Sequence, residues 1–157
     1  MSVTPENALG PDLAVKAALS RVIYGSCLCG DVGYRISGSP LRMVICDCES
    51  CRLARGAACA SNLFVPVRQF RWTRGESQVV SYRLPGPTAF ATAFCRRCGG
   101  DLPRASRGES VVVVPAGSLD GDPGVRPQQA HVGDSEKASW LETRDGLPQY
   151  AEMPPVV

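Results

Sequence analysis

Long apolar segments are absent from this sequence, and so is a strong charge of either sign. Its apolar runs extend over only a few residues, far short of the ~20 that a membrane-spanning helix needs. The formal net charge is +2, and the basic residues, nearly all of them Arg, are scattered along the chain. These absences argue against a membrane protein and against binding of nucleic acid through charge.

The sequence also lacks the marks of an exported protein. Residues 1–21 include Glu6, Asp12 and Lys16 but no apolar core of a signal peptide. We therefore expect a cytoplasmic protein, in a compartment that keeps thiols reduced. A chain of 157 residues suits one domain. We place that domain at residues 22–152, between an N-terminal lead-in (1–21) and a short C-terminal tail (153–157).

Short strands are the dominant local pattern. From Val22 onward, segments rich in Val, Ile, Tyr and Phe alternate with clusters of Gly, Pro, Asp and Ser, which is typical of strands joined by turns. The strongest strand candidates are residues 32–36, 79–82, 89–94 and 111–114. The last of these is continuously apolar, and we expect it to be buried on both faces. Because the chain has 16 Gly and 13 Pro, helices are expected only at Ser50–Ala60 and in the lead-in. The sequence thus predicts a mainly β fold.

Cysteine is what the sequence has in abundance. Seven of the eight cysteines fall into three close groups. The groups are Cys27-Leu28-Cys29-Gly30, Cys46-Asp47-Cys48-Glu49-Ser50-Cys51 and Cys95-Arg96-Arg97-Cys98-Gly99. In a reducing compartment such spacing is more often that of metal ligands than of disulfides. Two sulfurs so close in sequence can reach one ion, and Gly30 and Gly99 permit the left-handed turn that such a loop requires.

The number of ligands suggests how the groups combine. A closed zinc site takes four ligands, whereas a catalytic site commonly has three protein ligands and one exchangeable position. Groups of two, three and two divide naturally as two plus two, then three alone. The first site would be Cys27, Cys29, Cys95 and Cys98, and the second Cys46, Cys48 and Cys51. The alternative is that Cys59 or His131 fills the fourth corner of the second site, which would make both zinc ions structural.

The combined motifs resemble a known family. Besides the cysteine groups, the likeness depends on Pro115-Ala116-Gly117-Ser118-Leu119-Asp120, His131, Lys137, Trp140 and Asp145-Gly146-Leu147-Pro148-Gln149-Tyr150. Over about residues 22–152 the chain looks like the glutathione-dependent formaldehyde-activating enzyme family, also called the centromere protein V-type domain. It departs from the family's usual pattern at Asp47, where His is usual, at Gly133, where an aromatic residue is usual, and at Ser139, where Pro is usual.

This resemblance implies both a fold and a reaction. The fold would be a β-tent similar to Mss4, made of short antiparallel strands stapled by zinc, with Cys27, Cys29, Cys95 and Cys98 as structural ligands. Cys46, Cys48 and Cys51 would be catalytic. The family's reaction joins glutathione to formaldehyde, so the protein would be a carbon–sulfur lyase whose partner is a small-molecule thiol such as glutathione. Zinc held by three thiolates suits this chemistry, because it is a mild Lewis acid that favours a soft thiol.

Two other functions stay open from the residues alone. One is a non-catalytic, zinc-stabilised binding module, as the centromere-type relatives suggest. The other is a thiol–disulfide redox protein, whose cysteines would pair on oxidation without tightly held metal.

Several other residues have a functional and an ordinary interpretation. Arg52 and Arg55 can receive a glutathione carboxylate, or can be solvated arginines at a helix start. Asp47 and Glu49 can be hydrogen-bond acceptors for the metal ligands or a general base, but acidic residues in a turn are more often simply solvated. A histidine such as His131 is more often a hydrogen-bonded structural residue than a ligand, and a role as general acid or base stays open. We interpret Cys59 as a small buried residue.

Overall fold

Short strands make up most of the regular structure in residues 21–86, 90–123 and 130–154, which the computed structural model describes. The strands are β1 (Val22–Ser26), β2 (Gly33–Ser37), β3 (Arg42–Cys46), β4 (Ala60–Pro66), β5 (Phe70–Arg74), β6 (Val79–Arg83), β7 (Ala91–Cys95), β8 (Arg104–Ala105), β9 (Val111–Pro115), β10 (His131–Val132) and β11 (Gln149–Tyr150). The helices are α1 (Glu49–Arg55) and four 3-10 turns at Val67–Gln69, Glu76–Gln78, Ala116–Ser118 and Asp134–Glu136. The predicted mainly β fold is confirmed.

Three small sheets are formed by these strands. One contains β1, β2 and β5, a second pairs β6 with β7, and the largest has the order β11-β10-β3-β4-β9-β8. The ladders are antiparallel except for the two made by β10, which runs parallel to β3 and to β11. The expected helix of the lead-in, residue 89 of the strand predicted at 89–94, and the last three residues of the tail lie outside the described residues.

Helix α1 is shorter than the helix predicted at Ser50–Ala60. It ends at Arg55 because Gly56 takes the left-handed conformation (φ 59°, ψ 32°) and donates its N–H to the carbonyl of Arg52. Ala60 instead begins β4, which pairs with β3 on one side and β9 on the other. Pairing on both edges outweighs the helix propensity of the alanines around residue 58. No helix in the described residues is long and apolar enough to span a membrane.

The centre of the core lies on β4 and β9. Their ladder places Leu63 beside Val114 and Val65 beside Val112, and all four side chains are buried. Val113 is buried as well, so β9 is covered on both faces as the apolar run predicted. The buried side chains of the first sheet, among them Ile23, Val32, Tyr34 and Ile36, pack into the same cluster.

Tyr34, in the sheet formed by β1, β2 and β5, contacts the 3-10 turn Ala116–Ser118 that follows β9. Its ring, fully buried, packs against Phe70 and meets the edge of Trp72, with centroids 5.5 and 6.1 Å away. Its hydroxyl lies 2.7 Å from the hydroxyl of Ser118, which in turn donates to the carbonyl of Pro115. A buried tyrosine therefore has its polar end paired, as burial requires.

Gly25, opposite Tyr34 in the β1–β2 ladder, provides the space for this ring. A Cβ at position 25 would overlap the end of the Tyr34 ring and would lie 2.6 Å from the backbone oxygen of Ser118. We expect G25A to lower the free energy of unfolding by about 1–3 kcal/mol, the usual cost of overpacking a close-packed core. Urea denaturation measures this, and G121A, whose Cβ meets no atom within 4 Å, is the control. Equal stability of G25A and the control would contradict the packing described here.

Candidate metal centres

Two distant hairpins bring four cysteines together. Cys27 and Cys29 follow β1, whereas Cys95 ends β7 and Cys98 lies in the next turn. Their four sulfur atoms all lie within 4.8 Å of one another. The Cys27 and Cys29 sulfurs are 3.5 Å apart, and those of Cys29 and Cys95 are 3.9 Å apart. The structure thus groups the four cysteines that the ligand count had placed in one site.

The two loops of this first cluster are closed in the same way. Gly30 donates its N–H to the carbonyl of Cys27, and Gly99 donates to that of Cys95, each over 2.9 Å. Both glycines have the left-handed conformation, with φ of 79° and 70°. A side chain is disfavoured there, which explains why Gly follows the last cysteine of each pair.

Cys46, Cys48 and Cys51 form a second cluster where β3 passes into α1. Their sulfurs also lie within 4.8 Å of one another, with 3.4 Å between Cys46 and Cys48. Cys51 is buried, and the other two are partly exposed. Within the described residues no fourth Cys, His, Asp or Glu joins this group, so neither Cys59 nor His131 fills the fourth corner.

The crowded thiols of the second cluster share their protons unevenly. Hydrogen bonds with Cys46 and Cys51 lower the pKa of Cys48, whereas hydrogen bonds with Cys46 and Cys48 raise the pKa of Cys51. The contact with Cys48 is the largest cause that raises the pKa of Cys46, to about 11. Neighbouring thiolates repel one another, so only a cation among them allows all three to ionise.

The donor sets fit zinc. All eight cysteines of the chain are free of disulfides. Four soft sulfur donors in one group match a closed zinc site, and three in the other match a site with an exchangeable position. Oxygen donors, which magnesium and calcium prefer, are absent from both groups in the described residues.

His131 lies between two carboxylates beside the second cluster. Its Nδ1 is 2.7 Å from Oδ2 of Asp47, and its Nε2 is 2.9 Å from Oδ2 of Asp145. Asp47 is fully buried and His131 is 3% exposed. Both ring nitrogens are therefore occupied, and His131 is the hydrogen-bonded residue that was expected. Asp47 is not the solvated turn residue that was expected, since it forms a buried ion pair, whereas Glu49 is exposed.

The hydrogen bonds of Asp47 connect the loop that carries the second cluster to β10. Asp47 separates Cys46 from Cys48, and its backbone N–H donates to the carbonyl of Val132. Asp145 was not identified as a site residue from the sequence. It was noted only as the first residue of the family-like segment 145–150, and only the fold brings Asp47 and Asp145 to the two nitrogens of one ring.

Gly133 touches the same loop. Its φ is +73°, and a Cβ there would lie 2.9 Å from Cβ of Cys48 and 3.1 Å from its backbone nitrogen. The absence of a side chain at position 133 therefore allows β10 to pack closely against the second cluster.

Arg55 is not a solvated arginine. Its side chain is 9% exposed, and its Nη1 lies 2.7 Å from Asp101 and 2.9 Å from the hydroxyl of Thr92. Burial raises the pKa of Asp101, and Arg55 opposes this rise. Arg55 is therefore paired with a carboxylate of the protein itself, that of Asp101, and not with a substrate carboxylate.

A cavity of about 600 Å³ borders the first cluster at Cys27, and no cysteine of the second cluster lines it. It extends from Cys27 of the first cluster to Ala60, the ladder partner of Cys46. Its lining is completed by Ser26, Leu28, Arg55, Cys59, Ser61, Gly100, Asp101, Pro115, Gly117, Ser118, Leu119 and Asp120. Cys59 is half-buried in this wall, not enclosed in the core as expected. The volume is within the range of small-molecule sites.

We expect H131A to destabilise the protein by about 3–5 kcal/mol, because it leaves the buried Asp47 carboxylate without its partner. Burial lowers the pKa of His131, but its hydrogen bonds to Asp145 and Asp47 outweigh burial and the pKa is raised. A raised pKa stabilises the fold below the unfolded value, about 6.5, and the contribution is lost as the pH rises through the folded value.

The stability difference between wild type and H131A should therefore be larger at about pH 6 than at about pH 9. Urea denaturation at the two pH values measures it. The exposed Glu142 supplies the control, since E142Q removes a surface ion pair worth less than about 1 kcal/mol. If the stability difference between wild type and H131A were larger at about pH 9 than at about pH 6, protonated His131 would not stabilise the fold through its carboxylate partners.

A side chain at position 133 should disturb the second cluster. We expect G133A to weaken zinc retention there about tenfold, since Cys48 must shift to admit the Cβ. Zinc transfer to a chromogenic chelator measures this. G56A is the matched control, because Gly56 has a similar φ of +59° but its Cβ would meet no atom within 4 Å. If both variants lose zinc alike, backbone strain and not the contact with Cys48 is responsible.

Comparisons with known proteins agree with this architecture. A protein of Rhodobacter sphaeroides with a known crystal structure superposes with a TM-score of 0.53, which covers 81% of this chain and 98% of that chain. At 23% identity this likeness shows the fold alone. A comparison with curated proteins found no match. The model of the family described as glutathione-dependent formaldehyde-activating enzyme matches residues 22–133, which is more than half of the chain. The chain therefore belongs to the glutathione-dependent formaldehyde-activating enzyme family.

Proposed function

We propose that this protein is a zinc-dependent carbon–sulfur lyase that acts on a small thiol adduct. The observation that supports this best is the second cluster, in which three cysteine sulfurs converge and no fourth ligand joins them among the described residues. A binding module that needs zinc only for stability has no use for an incomplete set of ligands. By family resemblance, the reaction is formation of S-hydroxymethylglutathione from glutathione and formaldehyde.

The two clusters have different roles in this proposal. Cys27, Cys29, Cys95 and Cys98 hold a structural zinc that joins the β1–β2 and β6–β7 hairpins. Cys46, Cys48 and Cys51 hold the catalytic zinc. Zinc at the second cluster supplies a Lewis acid that lowers the pKa of a thiol or polarises an aldehyde oxygen. The functional unit is residues 22–152.

The chain's own residues bind and orient the reactants. The 600 Å³ cavity beside Ala60 has room for the peptide body of a thiol such as glutathione. Asp47, paired with His131, holds the loop between Cys46 and Cys48 in place. In the reaction a carbon–sulfur bond forms between the thiol and the aldehyde carbon, and the thiol proton passes to the aldehyde oxygen.

Metal content provides the first test. We expect about two zinc ions per chain in protein purified under reducing conditions, and about one in C48S, because the second cluster then has only two thiols. C59S is the matched control, since Cys59 lies outside both clusters and should leave two zinc ions bound. Dialysis against glutathione should remove or exchange zinc in the wild type and C59S, with no further loss from C48S.

Turnover provides the second part of the test. Exchange between ¹³C-formaldehyde and its glutathione adduct, followed by NMR, should be faster with wild type and with the surface variant E142Q than without protein, and C48S should abolish the acceleration. Two zinc ions that never exchange, without acceleration, would indicate a structural binding module. Cysteines that pair on mild oxidation in a protein without zinc would indicate a redox protein.

A further inference from the structure

A second, smaller cavity, which no cysteine lines, lies against the β6–β7 sheet and β8. Its volume is about 180 Å³, and its lining consists of Ser81, Tyr82, Arg83, Ala91, Thr92, Arg104 and Ala105. Two arginines and three hydroxyl groups thus surround a space in which none of the lining residues is acidic. At roughly 30 Å³ per water molecule, the space holds about six waters.

Arg104 is the unusual member of this lining. Its Nε is enclosed and, within the described residues, has no hydrogen-bond partner. Burial lowers the pKa of Arg104, and Arg55 and Arg83 lower it further by repulsion, although Cys51 and Cys46 oppose this. Arg104 is half-buried, and an arginine whose Nε is enclosed without a partner favours an anion beside it.

Arg83 and the hydroxyl groups of the lining also favour an anionic ligand. Arg83 is exposed at the mouth, so it can close over a ligand that Arg104 holds from within. The hydroxyl of Thr92 already accepts a hydrogen bond from Arg55, which leaves its own proton available to donate. Two guanidinium groups with nearby hydroxyl donors match the planar or tetrahedral oxygens of a carboxylate or phosphate.

We propose that this cavity is a binding site for an oxyanion. The ligand carries a carboxylate, phosphate or sulfate group, either as part of the acidic thiol substrate or as a free inorganic anion. Arg55 lies between the two cavities, because it contacts Thr92 in the wall of the small one and Asp101 in the wall of the large one. The site itself does not depend on the proposed lyase activity.

Titration of the zinc-loaded protein with two probes tests the proposal. Inorganic phosphate represents a free anion. S-methylglutathione represents the substrate, since it has two carboxylates but no thiol that could bind metal. Calorimetry at low ionic strength should detect binding of at least one probe, and R83Q should weaken it about tenfold, the effect of losing one charge-assisted contact. R107Q, which removes a nearby exposed arginine outside the cavity, should bind as the wild type does.

Further measurements distinguish a substrate carboxylate from a free anion, and an effect on this cavity from an effect on the metal centres. Loss of binding by the dimethyl ester of S-methylglutathione, with phosphate inactive, assigns the site to the substrate carboxylate, and the reverse pattern assigns it to a free anion. R104K keeps the charge but loses the guanidinium fork, so it should also bind about tenfold less tightly. Unchanged zinc content in R83Q separates this site from the metal centres. If neither probe binds, or if R83Q binds as tightly as R107Q, the proposal is wrong, and Arg104 serves only as a counter-charge to the cysteine cluster.

Discussion

Thiol groups held within 4.8 Å of one another cannot all ionise unless a cation lies among them, and the rest of this structure is arranged around that constraint. The first cluster joins two hairpins whose strands otherwise belong to different sheets. The second lies where the central sheet passes into α1. Small sheets with short strands bury limited apolar surface, so metal binding at these junctions would supply folding free energy that the core alone does not.

The second cluster depends on a part of the chain that is distant in sequence. Asp47 is fully buried between two of its cysteines, and a buried carboxylate needs a partner. That partner is His131, which Asp145 holds from the other side. Since β10 also pairs with β3 through its backbone, the loop that carries the cysteines is fixed by side chains and main chain together. Chemistry at the cluster is thereby coupled to the folding of residues 130–150.

The features that depend on residues close in the sequence could be predicted from the sequence alone. Alternating apolar residues indicated β2, and short runs rich in valine indicated β6 and β9. The spacing of the cysteines indicated which sulfurs can share an ion. Both signals depend on residues that are close in sequence. The helix predicted to reach Ala60 was wrong, because pairing of β4 with two neighbours competes with local propensity. Asp47 was misjudged for a related reason, since an acidic residue in a turn is usually solvated and only its distant partner makes burial tolerable.

By itself, then, the sequence determined the fold class, the likeness to a zinc family and the division of seven cysteines into groups of two, three and two, because these follow from composition and spacing. The tertiary structure alone decided that both ring nitrogens of His131 face carboxylates and that Arg55 pairs with Asp101. It also decided that a cavity borders the first cluster at Cys27. It also brought Arg83 and Arg104 to one small space. Contacts between residues far apart in the chain arise from the packing of whole elements, and no local pattern records them.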